Sequence, residues 1–277
     1  MTQKAMLCPR CRQLIGSEES VCSWCGAQRS SAWWRPTAWV QGGVDGAWLV
    51  KAIITVNIII YAFSIILSMG RGNAAGLLTM LSPDQMSLML LGATGTEPID
   101  GYNGYWTVIT ANYLHGGILH LIFNLMALRQ IAPWVTQEYG PGRMFVIYTL
   151  GGVCGYLVSY LAGVPFTIGA SGAICSLIGS LLYYGRSRGG VYGATVFREV
   201  SGWVLGLALF GFIMPGINNW AHGGGIIGGI VLGLLLGYDE RSKENALHRL
   251  LALLCAATTV GVLGWRIFVL VARGIGH

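Results

Sequence analysis

The sequence predicts an all-α polytopic membrane protein, a bundle of spanning helices behind a small cysteine-bearing N-terminal segment. Three observations predict it. Charged residues make up 10% of the 277 positions, against about 25% in ordinary soluble domains, which leaves too little polar surface to cover a water-soluble core. Hydrophobic residues supply 54%, far too many for a disordered chain. They also gather into runs of about 20 residues, the length of helix that crosses a hydrocarbon layer of about 30 Å. The 42 glycines follow no Gly-X-Y period, so a collagen-like chain is excluded.

Seven apolar runs stand out, at roughly 49–69, 114–133, 144–163, 170–185, 195–214, 221–237 and 247–270. Some 48 polar residues precede the first of them, which excludes a cleavable leader at that position. With the N-terminus placed inside, Lys and Arg divide 14 inside (Lys4 to Lys51, Arg129, Arg143, Arg186, Arg188, Arg198, Arg241, Lys243 and Arg249) and 3 outside (Arg71, Arg266 and Arg273). Asp and Glu divide 8 and 3, so the whole net charge of +6 falls on the cytoplasmic side. That is the positive-inside pattern. It explains the basic pI through topology, and no nucleic-acid partner is expected. The expected location is a bacterial inner membrane, multi-pass, with a cytoplasmic N-terminus and the lipid bilayer as surroundings. Trp33, Trp34, Trp39 and Trp48 precede the first run as an interfacial belt. The loop 70–113 is apolar for an external loop, and part of it is expected to lie in the membrane.

Residues 8–25 contain two Cys-x2-Cys turns ten residues apart. Cys8, Cys11, Cys22 and Cys25 therefore offer a tetrahedral thiolate shell suited to Zn²⁺, without an open position for catalysis. The alternative is a pair of disulfides, which a reducing cytosol disfavours. So short a segment would fold on its metal. Its expected role is structural, or that of an adaptor for an unidentified cytosolic partner.

Ionisable and polar residues inside spans are costly, so each marks a candidate site. His115 opens the second run. His120 and Asn124, four apart, share one helical face within it. Ser171 starts the fourth run and His222 the sixth. The second, fourth and sixth runs all begin on the external side, so these groups can converge at similar depth. From Ser171 to Gly185 there are 15 residues, about 22 Å of helix, shorter than the hydrocarbon layer. Backbone near Gly169 must then lie inside the protein or line a wet cavity. Gly225 and Gly229 follow His222 by three and seven, on its face, while Ser171, Cys175 and Gly179 are spaced by four. Small residues on both faces let two helices approach closely. A lone serine or glycine pair would be ordinary packing; the set together is not.

The segments HGGILHLIFN (115–124), GASG (169–172) and AHGGGIIGG (221–229) resemble the three motifs of rhomboid intramembrane serine proteases, in the same order. The resemblance covers roughly 49–240 and implies a six-helix rhomboid-like core with one transmembrane helix added after it. The implied layout is a ribbon at 1–28, a juxtamembrane linker at 29–48, the core at 49–240 and an added helix and tail at 241–277. The resemblance implies a dyad, with Ser171 as nucleophile and His222 as base and then acid. His120, Asn124 and the Ser171 backbone N–H would hold the oxyanion. His115 would shape the external rim, and Gly169, Gly225 and Gly229 would support the site. It implies cleavage of single-pass transmembrane proteins near the external boundary, with no cofactor for catalysis. Three positions depart from the family's habit: Trp106 is followed by Thr107 rather than Arg, Cys175 replaces an aromatic residue, and Glu138 sits two before Gly140. A non-catalytic relative that binds transmembrane clients, and a channel or transporter, are the alternative readings.

Overall fold

The computed structural model describes residues 5–7, 14–16, 19, 21–24, 44–69, 81–214, 216–272 and 274. It forms two units, Met1–Ala47 and Trp48–His277. In the first, strands β1 (Ala5–Leu7) and β2 (Leu14–Gly16) pair antiparallel with Met6 opposite Ile15. The Gly16 amide donates to Glu19 Oε1 at 2.9 Å, and that bond holds the Glu19 carboxyl below its ordinary range. Cys22 is buried. Cys8, Cys11 and Cys25 lie outside the described residues, as do Trp33, Trp34, Trp39 and the loop's Leu77, Leu78 and Met80.

Ten α-helices follow among the described residues: α1 (Val44–Ser68), α2 (Gln85–Leu91), α3 (Thr96–Tyr102), α4 (Thr107–Thr110), α5 (Ile118–Tyr139), α6 (Pro141–Leu161), α7 (Ser171–Arg188), α8 (Gly190–Ile213), α9 (Asn219–Leu236) and α10 (Ala246–Ala272). Six of them, α1, α5, α6, α8, α9 and α10, are long and apolar enough to cross a membrane. The protein is an all-α polytopic membrane protein. Helix boundaries follow local chemistry. Gly140, at φ +89°, ends α5, and Pro141 opens α6, where a missing N–H costs nothing. Asn218 caps α9, its side chain accepting the Ala221 N–H at 3.0 Å.

The fourth apolar run forms a helix at its expected place, with a composition unlike the others. It forms α7, but α7 is not among the helices apolar enough to span by composition. It carries Ser171, Ser176, Ser180, Ser187, Arg186 and Arg188. The reason is its position: α5, α6, α8 and α9 all pack on it, and Gly172 to Leu181 are buried without interruption. Protein surrounds it, so its polar groups find protein partners. Ser176 Oγ donates to Ile147 O at 2.7 Å, and Ser180 Oγ to Leu177 O at 2.8 Å.

The described part of the predicted external loop, residues 81–113, is folded into helices and turns. Leu88 and Leu91 of α2 are buried in the main core cluster, so part of the loop's apolar content faces the bundle itself. At the opposite end of the bundle Arg143 is fully buried. Its guanidinium donates to Tyr139 O, to Gly237 O at 2.9 Å and to Ser242 O at 2.8 Å, and pairs with Asp239 at 2.9 Å. A cation at the C-terminal ends of α5 and α9 meets the negative ends of both helix dipoles. Glu138 is buried beside it and accepts from Tyr192 OH at 2.8 Å.

Candidate active site

Three helix N-termini build the site. α7 begins at Ser171, two residues after a glycine that no other residue could replace without strain. Gly169 has φ +125°, and a Cβ there would stand 2.7 Å from His120 Nε2. The turn is held from both sides. Gly169 N donates to Ala111 O at 2.9 Å, and Tyr156 OH donates to Gly169 O at 2.6 Å. α9 brings His222 in its first turn. Its Nε2 lies 2.9 Å from Ser171 Oγ. The Nδ1 atom is buried without a hydrogen-bond partner among the described residues. For Nε2 to accept the serine proton, the neutral ring must carry its own proton on Nδ1. The ring orientation is therefore set by packing and by the Ser171 bond.

Close approach of α7 and α9 makes this contact possible. A Cβ on Gly225 would overlap the main-chain oxygen of Gly172 and lie 3.2 Å from Cys175 Cβ. A Cβ on Gly229 would overlap the Ser176 oxygen. Cys175, where the family habit is an aromatic side chain, is buried against this seam.

α5 contributes His120 and Asn124. The His120 ring lies against the Gly169 turn, on the same small space that Ser171 Oγ faces. Its Nδ1 accepts weakly from Gly116 N, at 3.4 Å. Asn124, one turn further on, is buried, and its Nδ2 donates to His120 O at 2.8 Å. An amide nitrogen has two hydrogens, so one remains for another acceptor. His115 corrects the rim expectation. It is fully buried, with its ring centroid 5.0 Å from that of His120 and both nitrogens unpartnered among the described residues. The extended Leu114 carries it inward ahead of α5, so it packs under His120 instead of edging the surface.

The sequence reading missed two groups. Asn218 Nδ2 donates to Ser159 Oγ at 2.6 Å and Thr167 Oγ1 at 2.9 Å, tying the start of α9 to the strand-like bridge Thr94–Thr167 that leads to Gly169. An Asn three before an apolar run was a legible cap signal. Tyr156, within an apolar span, carried no such signal. Replacing Gly169 with Ala is expected to displace His120 and the Ser171 turn. On the protease activity that the resemblance implies, misplacement of this kind costs about 10²-fold in rate, which cleavage of a transmembrane reporter would record per folded molecule, beside a lowered thermal-unfolding midpoint from the strained alanine.

A model of the Rhomboid domain matches residues 102–239. RHOMBOID-like protein 5 of Arabidopsis thaliana is 30% identical over 248 residues, covering 76% of this chain and 77% of that one. The chain belongs to the rhomboid family. Within the family, this rhomboid is similar to Rhomboid protease GluP of Bacillus subtilis (strain 168), at 33% identity over 183 residues, which cover 62% of the chain and 36% of GluP. It is also similar to Inactive RHOMBOID-like protein 8 of A. thaliana, at 27% over 200 residues, 65% of the chain and 56% of that relative. The rhomboid thus spans about a third of one of these relatives and just over half of another. Family membership accounts for the fold; catalysis has to be argued from the side chains.

Proposed function

We propose that this rhomboid is an active intramembrane serine endopeptidase, and the 2.9 Å contact between His222 Nε2 and Ser171 Oγ is the observation that carries the reading. His222 takes the hydroxyl proton as Ser171 Oγ attacks the scissile carbonyl, then protonates the departing amine. Water, activated by the same ring, releases the acyl group. The oxyanion forms beside the first turn of α7, where backbone N–H groups lack intrahelical partners and the dipole favours negative charge. The Ser171 N–H, a His120 ring nitrogen and the second Asn124 N–H are the donors for it. The substrates are single-pass transmembrane proteins, cut near the external boundary, with the N-terminus of the protease on the cytoplasmic side of a bacterial inner membrane. The test is a fluorophosphonate probe on the full chain in vesicles. The wild type is expected to label at Ser171 and His222→Ala is not. A wild type that neither labels nor cleaves a transmembrane reporter would favour the client-binding reading.

The N-terminal segment is proposed to hold structural Zn²⁺. Two observations support the reading: Leu7 pairs with Leu14 across the stretch of sequence that holds Cys8 and Cys11, and Cys22 is buried. Thiolates bound to the metal would supply the folding free energy that so small a segment lacks. Purified protein is expected to contain one zinc per chain by elemental analysis, and Cys8→Ser with Cys11→Ser to contain none. Equal zinc in both would exclude the site.

A further inference from the structure

Arg266 is the one charged residue between positions 250 and 272 of α10. A charge inside an apolar helix is costly unless its partners are specific, and here they are. The guanidinium carbon lies 5.3 Å from the centroid of the Trp106 ring, and Nε donates to Leu90 O. The neighbouring Trp265 meets Trp106 edge-on, with centroids 5.5 Å apart at 88°. Two adjacent residues of α10 therefore bracket one tryptophan. Leu90 lies in the last turn of α2, and Trp106 caps α4. α10 thus grips both arms of the segment 81–113, which is closed on itself by Thr110 Oγ1 to Gly92 O at 2.8 Å and Thr107 Oγ1 to Thr94 Oγ1 at 2.9 Å. Directly after α4, Ala111 O accepts the Gly169 N–H at 2.9 Å, two residues before Ser171. The matched Rhomboid domain ends at 239, so α10 lies wholly beyond it.

We propose that α10 belongs to the catalytic apparatus: Trp265 and Arg266 are positioning residues that hold Trp106, and through α4 and Ala111 hold the Gly169–Ser171 turn in register with His222. This rests on the protease reading above. The test uses the full chain in vesicles with Arg266→Leu, Trp265→Ala, the conservative Arg266→Lys, and Leu253→Ala on an exposed part of the same helix as control. Hydrogen exchange over residues 166–172 reads the coupling without any need for activity. Exchange at Gly169 is expected to rise about tenfold in Arg266→Leu and Trp265→Ala, to return most of the way in Arg266→Lys, and to stay put in the control. On a transmembrane reporter, kcat per folded molecule is expected to fall about 10- to 100-fold with KM little changed, as small misplacements do. Unchanged exchange at Gly169 in both variants overturns the proposal, as does wild-type kcat in both. If Arg266→Leu does not fold, Trp265→Ala decides. A wild type without cleavage refutes the protease reading, while exchange still decides the coupling.

Discussion

Ser171→Ala is expected to reduce cleavage of a transmembrane reporter by at least about 10⁴-fold, the scale on which loss of a serine nucleophile lowers kcat. Alanine keeps the Cβ, so packing at the head of α7 is preserved. The lost bond to His222 costs about 1 kcal/mol of stability at most, far below the effect on rate. His222→Ala is expected to reach a similar floor, and the double variant to go no lower, because nucleophile and base act as one unit. The measurement is initial rate in vesicles, with thermal unfolding run alongside. If Ser171→Ala cleaves within tenfold of wild type, neither the dyad nor the protease reading survives. If the two single variants prove additive, His222 is not the base for Ser171.

Gly229→Val is expected to be the most damaging substitution for stability, at more than about 3 kcal/mol. Overpacking a core of side chains typically costs about 1–3 kcal/mol because rotamers and backbone give way. Here the opposing atom is a main-chain oxygen of Ser176, set in a helix buried on every side. Gly179 faces the Ile226 oxygen in the same way, so the seam between α7 and α9 is backbone against backbone along several turns. Gly261→Val, on α10 with no neighbour within 4 Å of the added Cβ, is the control and is expected to move stability by less than about 0.5 kcal/mol. Thermal unfolding in detergent separates the two. Equal midpoints would mean that the seam is not needed for folding.

The spans were legible because lipid imposes a length and a polarity on each helix. The pairing of Ser171 with His222 was legible because both stand at helix starts above small-residue faces. α7 was legible as a helix start at Ser171, but its composition is less apolar than that of the other long helices, because hydropathy measures what a helix needs when lipid surrounds it, and protein surrounds α7. Arg266 shows another limit. Counted by side it is one external charge; its meaning lies in Leu90 and Trp106, more than 150 residues away, and no local pattern encodes that. His115 failed similarly. A histidine at the end of a span reads as interfacial, and only the inward course of the chain at Leu114 buries it.

The partners of Ser171, His120 and Asn124 are all uncharged groups, whereas the ion pairs of Arg143 and Arg188 gather at the other end of the bundle. Proton transfer from Ser171 to His222 would therefore create a positive ring and a developing anion with no standing ion beside them. Dissolved salt acts on charges that are already present and exposed. Added electrolyte should accordingly leave turnover almost untouched, and any ionic-strength dependence that is observed belongs to the way substrate meets the end of the bundle that carries Arg143 and Arg188.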